Sequence, residues 1–451
     1  MTYHSHLDPG MAARFGDALL ASLAPDGGLW MPDVIPHIPA SRMATLGAMS
    51  FADCAAELAA HFTDSLFDPD ALRALCRDAY SYDMPMVTSA GERLDPAMPP
   101  QSDHFFLELF HGPTLAFKDF AARFMGRAAS RLMQASGERR TILVATSGDT
   151  GGAIGDAFLG QDGVDVFILF PEGGVSTVQE QQLCTIGGAN SNVHTLSVTG
   201  TFDDCQALVK GAFADPALSA RFDLMSANSI NVGRVIPQSF YYVWASLHAK
   251  AAYPERDLVI SIPSGNLGNL TGGLIAQQMG APIDRFIVAH NVNDPFVDYL
   301  VVGEYRPRPS VPTLSNAMDI GRPNNFPRIL SLFDQNLEVL RRVCWGVSFD
   351  DDTTAAHLRR HYRETGYLMC PHTTVGHMGT LAFRHLHPDD ATFLTVATAH
   401  PAKFADSLEK IIDETLSMPE RLARAYQTEK RVTPIEPTLD ALVGHLASVL
   451  E

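Results

Sequence analysis

Five short segments carry the side chains best suited to chemistry. The first is LELFHGPTLAFKDFAARFMGRAA, with Lys118 as its one lysine. Phe117, Phe120, Ala121, Phe124 and Ala128 recur at helical spacing, and Gly112-Pro113-Thr114 is a turn and helix-start signal. Lys118 then falls in the first turn, where the positive end of the helix dipole disfavours a cation. An apolar wall beside it disfavours the charge further. Both effects favour the neutral amine, the form that attacks a carbonyl carbon. On spacing alone, the alternative is a solvated lysine on an amphipathic helix.

The second segment, Thr146-Ser147-Gly148-Asp149-Thr150-Gly151-Gly152, lies between an apolar strand and a helix. The third, Ser264-Gly265-Asn266-Leu267-Gly268-Asn269, has the same setting. Glycines let the backbone approach an anion, and amides at a helix start hold it. Neither is a G-x-G-x-x-G fingerprint or a P-loop. Each alone is an anion cradle or a plain strand-to-helix turn; two in one chain favour a phosphate-bearing ligand. The fourth segment, Asn228-Ser229-Ile230-Asn231-Val232-Gly233-Arg234, offers amide, hydroxyl and guanidinium donors, and Arg234 suits forked binding of a phosphate. Its alternative is a capping segment with a surface arginine. The fifth, Thr398-Ala399-His400-Pro401-Ala402-Lys403, ends a strand with a hydroxyl on Thr398. His400, and His372 in CPHTTVGHMG, read as loop histidines that satisfy backbone groups. No spacing of His, Cys and carboxylates suggests a metal.

These segments need a frame that brings them together. TILVAT (141–146), VDVFILF (164–170), HTLSV (194–198), LVISI (258–262), RFIVAH (285–290) and TFLTVAT (392–398) read as strands. Helices over 202–213 and 238–251 lie among them. Such alternation predicts parallel sheets covered on both faces, with ligands at the C-terminal ends of the strands. FADCAAELAAHF (51–62) and PDALRALCRDAY (69–80) show helical spacing, so residues 1–100 read as a mostly helical region. DPAMPP (95–100) is a connection, and 303–328 a long loop with some local structure. An α/β domain over 101–250 holds Lys118 and the SGDTG loop. A second over 251–451 holds the SGNLGN loop and C-terminal helices, the two being interleaved.

Composition narrows the function classes. The chain has 451 residues, 46% hydrophobic and 19% charged, as globular proteins do. Its 33 basic and 51 acidic residues leave a formal charge of −18, which argues against nucleic acid as a partner. The six cysteines form no C-x-x-C pair and read as reduced and buried. There is no secretory leader pattern and no apolar stretch of membrane-spanning length, so a cytoplasmic protein without a membrane partner is expected.

Taken in order, HGPTLAFKD, TSGDTG, NSIN…R, SGNLGN and TAHPAKF resemble the characteristic stretches of threonine synthase, of the longer bacterial and fungal type. LSNAMDIGRPNNFPR, FDDCQALVK and the early SLAPDGGLWMP extend the resemblance to about residue 415. That family is a carbon–oxygen lyase acting on phosphates, within the tryptophan synthase β-like, fold type II group of pyridoxal 5′-phosphate (PLP) enzymes. The resemblance implies two parallel-rich α/β domains with PLP in the cleft between them. It implies that Lys118 holds PLP covalently and moves protons at Cα and Cβ, that Gly265, Asn266, Leu267, Gly268 and Asn269 wrap the cofactor phosphate, and that Thr398 meets the pyridine nitrogen. Asp149 falls where related enzymes put a polar group near the cofactor's 3′ oxygen, and the sequence shows no partner for its charge. Thr146, Ser147 and Thr150 would take the substrate carboxylate; Asn228, Ser229 and Arg234 would take the substrate phosphate.

The implied reaction converts O-phospho-L-homoserine and water to L-threonine and phosphate, with water entering late behind a closing lid or domain. A monomer or homodimer is expected. The rivals are a PLP phospho-lyase that releases 2-ketobutyrate and a non-catalytic binder of phosphorylated metabolites. Two departures stand out. PEGGVSTVQEQ has Glu172 and Gly174 where the family often has a basic residue, and TYHSHL replaces a Ser-Thr-Arg-Gly-like stretch.

Overall fold

The computed structural model describes residues 1–188, 190–388 and 390–451. The first hundred residues add a small sheet to the helices expected there. β1 (Thr2–Ser5) pairs antiparallel with β2 (Ala12–Arg14) and β3 (Trp30–Pro32) in a small sheet. Helices Phe51–Thr63 and Pro69–Ala79 follow as expected, capped by Ser50 and Asp68. Strands of three or four residues are too short for an alternating pattern to register.

The rest is built on two sheets. One contains β4 (Met86–Val87), β5 (His104–Glu108), β10 (Asp257–Pro263), β11 (Arg285–His290), β12 (Cys344–Ser348) and β13 (Ala391–Ala397), in the order β12-β11-β10-β13-β5-β4. All its pairings are parallel except β4 with β5. The other contains β6 (Arg140–Ala145), β7 (Val164–Pro171), β8 (Val193–Val198), β9 (Leu224–Ser226) and β14 (Thr433–Ile435), in the order β14-β8-β7-β6-β9, all parallel. The apolar runs of β6, β7, β10 and β13 are buried almost end to end, as strands covered on both faces must be. All six cysteines are free and buried.

Sheet membership crosses the expected division at residue 250. β4 and β5 belong with the strands beyond 250, and β14 returns from the C-terminus to the sheet of β6–β9. Each sheet also has a reversal of strand order. The chain runs outward from β6 through β7 to β8, then places β9 on the other side of β6; it runs from β10 to β12, then places β13 on the other side of β10. Neighbouring loops diverge at such points and leave a crevice beyond the strand ends. The loops after β6, β9, β10 and β13 are the second, fourth, third and fifth segments singled out above. The first follows β5, which pairs with β13.

Candidate active site

Lys118 is the first residue of a 19-residue helix, Lys118–Ser136. The turn before it is pinned by Asp119, which is fully buried and accepts from the Thr114 amide at 2.9 Å and the Thr114 hydroxyl at 2.5 Å. Gly112 leaves room for that carboxylate, since a Cβ there would stand 2.3 Å from Asp119 Oδ2. The Phe117 amide donates to the Thr398 carbonyl at 2.8 Å, and Ala116 bridges Ala399. The lysine is thereby fixed against the end of β13.

One cleft collects the candidate residues. Lys118, Thr146, Ser147, Asp149, Thr150, Asn228, Ser229, Arg234, Gly265, Asn266, Leu267, Gly268, Asn269 and Thr398 all line it. His400 does not; its Nδ1 accepts from the Ala402 amide at 3.1 Å, as a backbone-satisfying histidine would. Glu172 and Gly174 also lie outside the cleft lining. An adjoining cavity shares Phe202, Asn228 and Asn266 with the cleft and adds the cations Lys210, Arg308 and Arg322.

Burial pushes the Lys118 amine down to about 8, against the opposing pull of Asp149 and with help from the Arg234 and Lys403 charges. Among the described residues the amine makes no hydrogen bond; it lies 5.7 Å from the centre of the Phe117 ring. Arg234 is 3% exposed and donates from Nη1 to the Ala227 carbonyl, while its Nε is buried without a partner. A buried guanidinium with an unused donor, on a residue that lines a cleft, is suited to an anionic ligand.

Asp149 has the partner that the sequence left open. Lys403, wholly buried, places Nζ 2.9 Å from Asp149 Oδ1 and donates to the Thr114 carbonyl at 2.8 Å. Gln179 Nε2 donates to the same carboxylate oxygen at 2.9 Å. Burial alone would raise the pKa of Asp149, but the Lys403 and Lys118 charges override it and hold the carboxyl well below its usual range. It is an ionised carboxylate, and no shared proton is needed. Lys403 stood in the TAHPAKF motif without a role; only its three-dimensional partners reveal one.

The β10 loop is shaped to leave amides free. Leu267 takes the left-handed conformation, φ 60°, at the start of the helix Gly268–Gln278, and no side chain caps that helix. The Asn269 side chain serves the loop itself, donating to the Pro263 carbonyl and meeting Ser264 Oγ. Asn266 donates to Ser229 Oγ at 2.6 Å, tying this loop to the one after β9. Buried Arg328 braces both, donating to the Ser229 and Ile230 carbonyls and to Asn325 Oδ1. Gly265 must lack a Cβ, which would stand 2.6 Å from Met318 Cα. Met318 belongs to a short 3-10 turn, Asn316–Met318, within the expected 303–328 loop, and Ala317, Met318 and Ile320 line the cleft. His372 also lines it, from the helix Pro371–Leu386 and not from a loop, and accepts from the Ala317 amide at 3.1 Å, the backbone role expected of it. Burial lowers His372 to about 4, leaving it neutral.

Comparison with known proteins covers nearly the whole chain. Residues 99–399 match the pyridoxal-phosphate dependent enzyme family, residues 2–80 the threonine synthase N terminus, and residues 373–445 the threonine synthase C-terminal region. Threonine synthase of Escherichia coli (strain K12) is 39% identical over 428 residues, 94% of each chain. A crystal structure of threonine synthase from Escherichia coli has a TM-score of 0.89 at 36% identity, covering 100% of both chains. A structure of PLP-bound threonine synthase from Brucella melitensis has the same TM-score at 34% identity, covering 99% of both.

Proposed function

The chain belongs to the threonine synthase family of pyridoxal-phosphate-dependent enzymes, and from that premise we propose that it converts O-phospho-L-homoserine and water into L-threonine and phosphate. The observation that carries this reading is the meeting, in one cleft, of a lysine with a depressed proton affinity and two separate sets of anion donors.

The cleft fits the cofactor. Lys118 offers the amine for covalent attachment. The uncapped helix start at Gly268, reached through left-handed Leu267, offers amides to its phosphate, with Gly265 leaving the loop close under Met318. Thr398, at the end of β13, is suited to the ring nitrogen, and Asp149 with Lys403 to the side bearing the 3′ oxygen. When bound, pyridoxal phosphate supplies the electron sink that acidifies the carbon next to the substrate's amino group.

The chain's own residues do the rest. Lys118, once freed by the incoming substrate, removes the proton from Cα and serves again at Cβ, a task for which an amine near 8 is well matched. Asn228, Ser229 and Arg234 hold the substrate phosphate, and the guanidinium of Arg234, a residue that lines the cleft, stabilises the charge that grows as phosphate leaves Cγ. Thr146 accepts from the Gly148 and Gly151 amides at 3.0 and 2.8 Å, which leaves its hydroxyl proton free for the substrate carboxylate beside Ser147 and Thr150. Lys118 then delivers a proton to Cγ, water adds its hydroxyl at Cβ, and Lys118 returns a proton to Cα.

The test is product analysis with the cofactor-loaded protein and O-phospho-L-homoserine. Equal amounts of threonine and phosphate are expected, with activity reduced at least about a thousandfold in Lys118→Ala. Keto acid without threonine would overturn the reading in favour of a phospho-lyase.

A further inference from the structure

A cluster of histidines outside the cleft has no part in this chemistry. His357 and His361 stand one turn apart on the helix Asp351–Thr365, and so share a face. His377 comes from the neighbouring helix Pro371–Leu386. One ring nitrogen from each lies within 4.8 Å of the other two. The residues are only 8, 8 and 4% exposed.

Hydrogen bonding leaves the cluster incomplete. His357 Nε2 and His377 Nδ1 are 3.0 Å apart, whereas His361 Nε2 is buried with no partner among the described residues. A buried ring nitrogen without a partner is a standing cost unless something fills the gap. A metal ion takes the lone pair of one nitrogen of each neutral imidazole. His104 stacks on His377 at 5.0 Å and reaches Thr395 Oγ1 at 2.8 Å, which steadies the His377 ring.

We propose that His357, His361 and His377 form a binding site for one divalent transition-metal ion that favours imidazole nitrogen, zinc being the first choice, and that the ion clips the two helices together. Bonds of about 2.0–2.1 Å in tetrahedral geometry set the ligand nitrogens about 3.3 Å apart, so the rings need close by no more than about 1.5 Å. The fourth position faces a cavity that Glu364 also lines, three residues beyond His361 on the same helix. A water entering from this cavity completes the set.

Four charged groups face this cavity: Glu364, Asp103, Arg384 and Arg360. Arg384 is paired with Asp103. Arg360, exposed on the helix, is the competitor, since its Nη2 donates to His357 Nδ1 at 2.9 Å. That bond fixes the proton of His357 on Nε2, from which it is donated to His377. For the ion to take Nε2, the proton moves to Nδ1 and Arg360 lets go. The consequence for the cleft is mechanical. His372 and the Thr373 hydroxyl, which accepts from the Thr398 amide at 3.3 Å, ride on the same helix as His377.

The experiment titrates zinc chloride into chelator-treated, cofactor-loaded protein by calorimetry, with thermal melting alongside. Expected are one ion per chain, a Kd of about 1 µM or tighter, and a Tm raised by about 2–5 °C. His361→Gln and His377→Gln each weaken binding at least about tenfold. Arg360→Ala keeps all three imidazoles, lies at the surface and tightens binding by about three- to tenfold. The proposal is overturned by the absence of saturable zinc binding, by an affinity unchanged in His361→Gln, which would assign the ion to thiols or the cofactor, or by an affinity not improved in Arg360→Ala. A Tm unchanged by zinc overturns it too.

Discussion

The loops after β6 and β10 are alike in sequence and opposite in electrostatics. Both are glycine-rich, follow a buried strand and open a helix. The β6 loop carries its own anion, because Asp149 is the first residue of the helix Asp149–Phe158 and stays ionised beside Lys403. Two of its amides are already given to Thr146. The β10 loop has no acid in the first turn of its helix and no side-chain cap. A helix start that already carries its own anion draws a phosphate less than one left open does. The glycine pattern therefore marks where the backbone comes close, and the first-turn side chain decides what it comes close to. This places our assignment of the cofactor phosphate on the β10 loop.

The contrast can be broken most forcefully at Asp149. Asp149→Ala leaves the wholly buried Lys403 without its carboxylate, and a loss of about 3–5 kcal/mol is expected in urea or thermal unfolding. An unchanged stability would mean that the β6 loop holds no structural anion.

Gly265→Ala attacks the other loop. Its Cβ meets Met318 and pushes the cradle open, so PLP affinity should fall by about 10- to 100-fold, or about 1.4–2.7 kcal/mol, while the fold is kept. Absorbance titration with PLP reads this, and full affinity in the variant would move the phosphate elsewhere.

A smaller effect links the two loops through Lys118. Cofactor capture by cofactor-free protein needs the neutral amine, so its rate should rise with pH through about 8. Asp149 favours the charged amine; Asp149→Asn should thus shift that midpoint downward, and an upward shift would contradict the arrangement. Linkage has the same origin. The folded amine sits near 8 and the unfolded one near its ordinary 10.5, so the unfolded chain binds more protons between these values. This group's contribution to the stability of the cofactor-free protein therefore rises from pH 8 to 10.5.

The smallest effect is expected at the rim of the adjoining cavity. Lys210→Ala with Arg322→Ala should lower kcat/KM for the anionic substrate about two- to fivefold at low salt and hardly at all at about 0.5 M.

The longer features of the molecule were legible in the sequence. Buried strands such as TILVAT and LVISI and the helix opened by Lys118 leave continuous or periodic apolar patterns, and all fourteen candidate residues meet in one cleft. What escaped was short or distant. β1, β2 and β3 are too brief for a pattern, and β4, β9 and β14 are recognisable only from the strands they join. Lys403 looked like any lysine because its meaning lies in Asp149, over 250 residues earlier. The spacing His357-x-x-x-His361 was present but passed over, since its third member lies on the next helix. The reversal of strand order that gathers four of the five segments is a property of connectivity and leaves no local mark.

The bridge from Ala116 to Ala399, with the Phe117 amide on the Thr398 carbonyl and Lys403 on Thr114, has a further consequence for biosynthesis. The lysine is made in the first third of translation, yet the contacts that set it in place come from the last eighth of the chain. A nascent chain folding from its N-terminus cannot finish this corner until residues past Lys403 have left the ribosome. Loading with cofactor thus falls at the very end of synthesis, and a truncated chain would carry the reactive lysine without the means to present it.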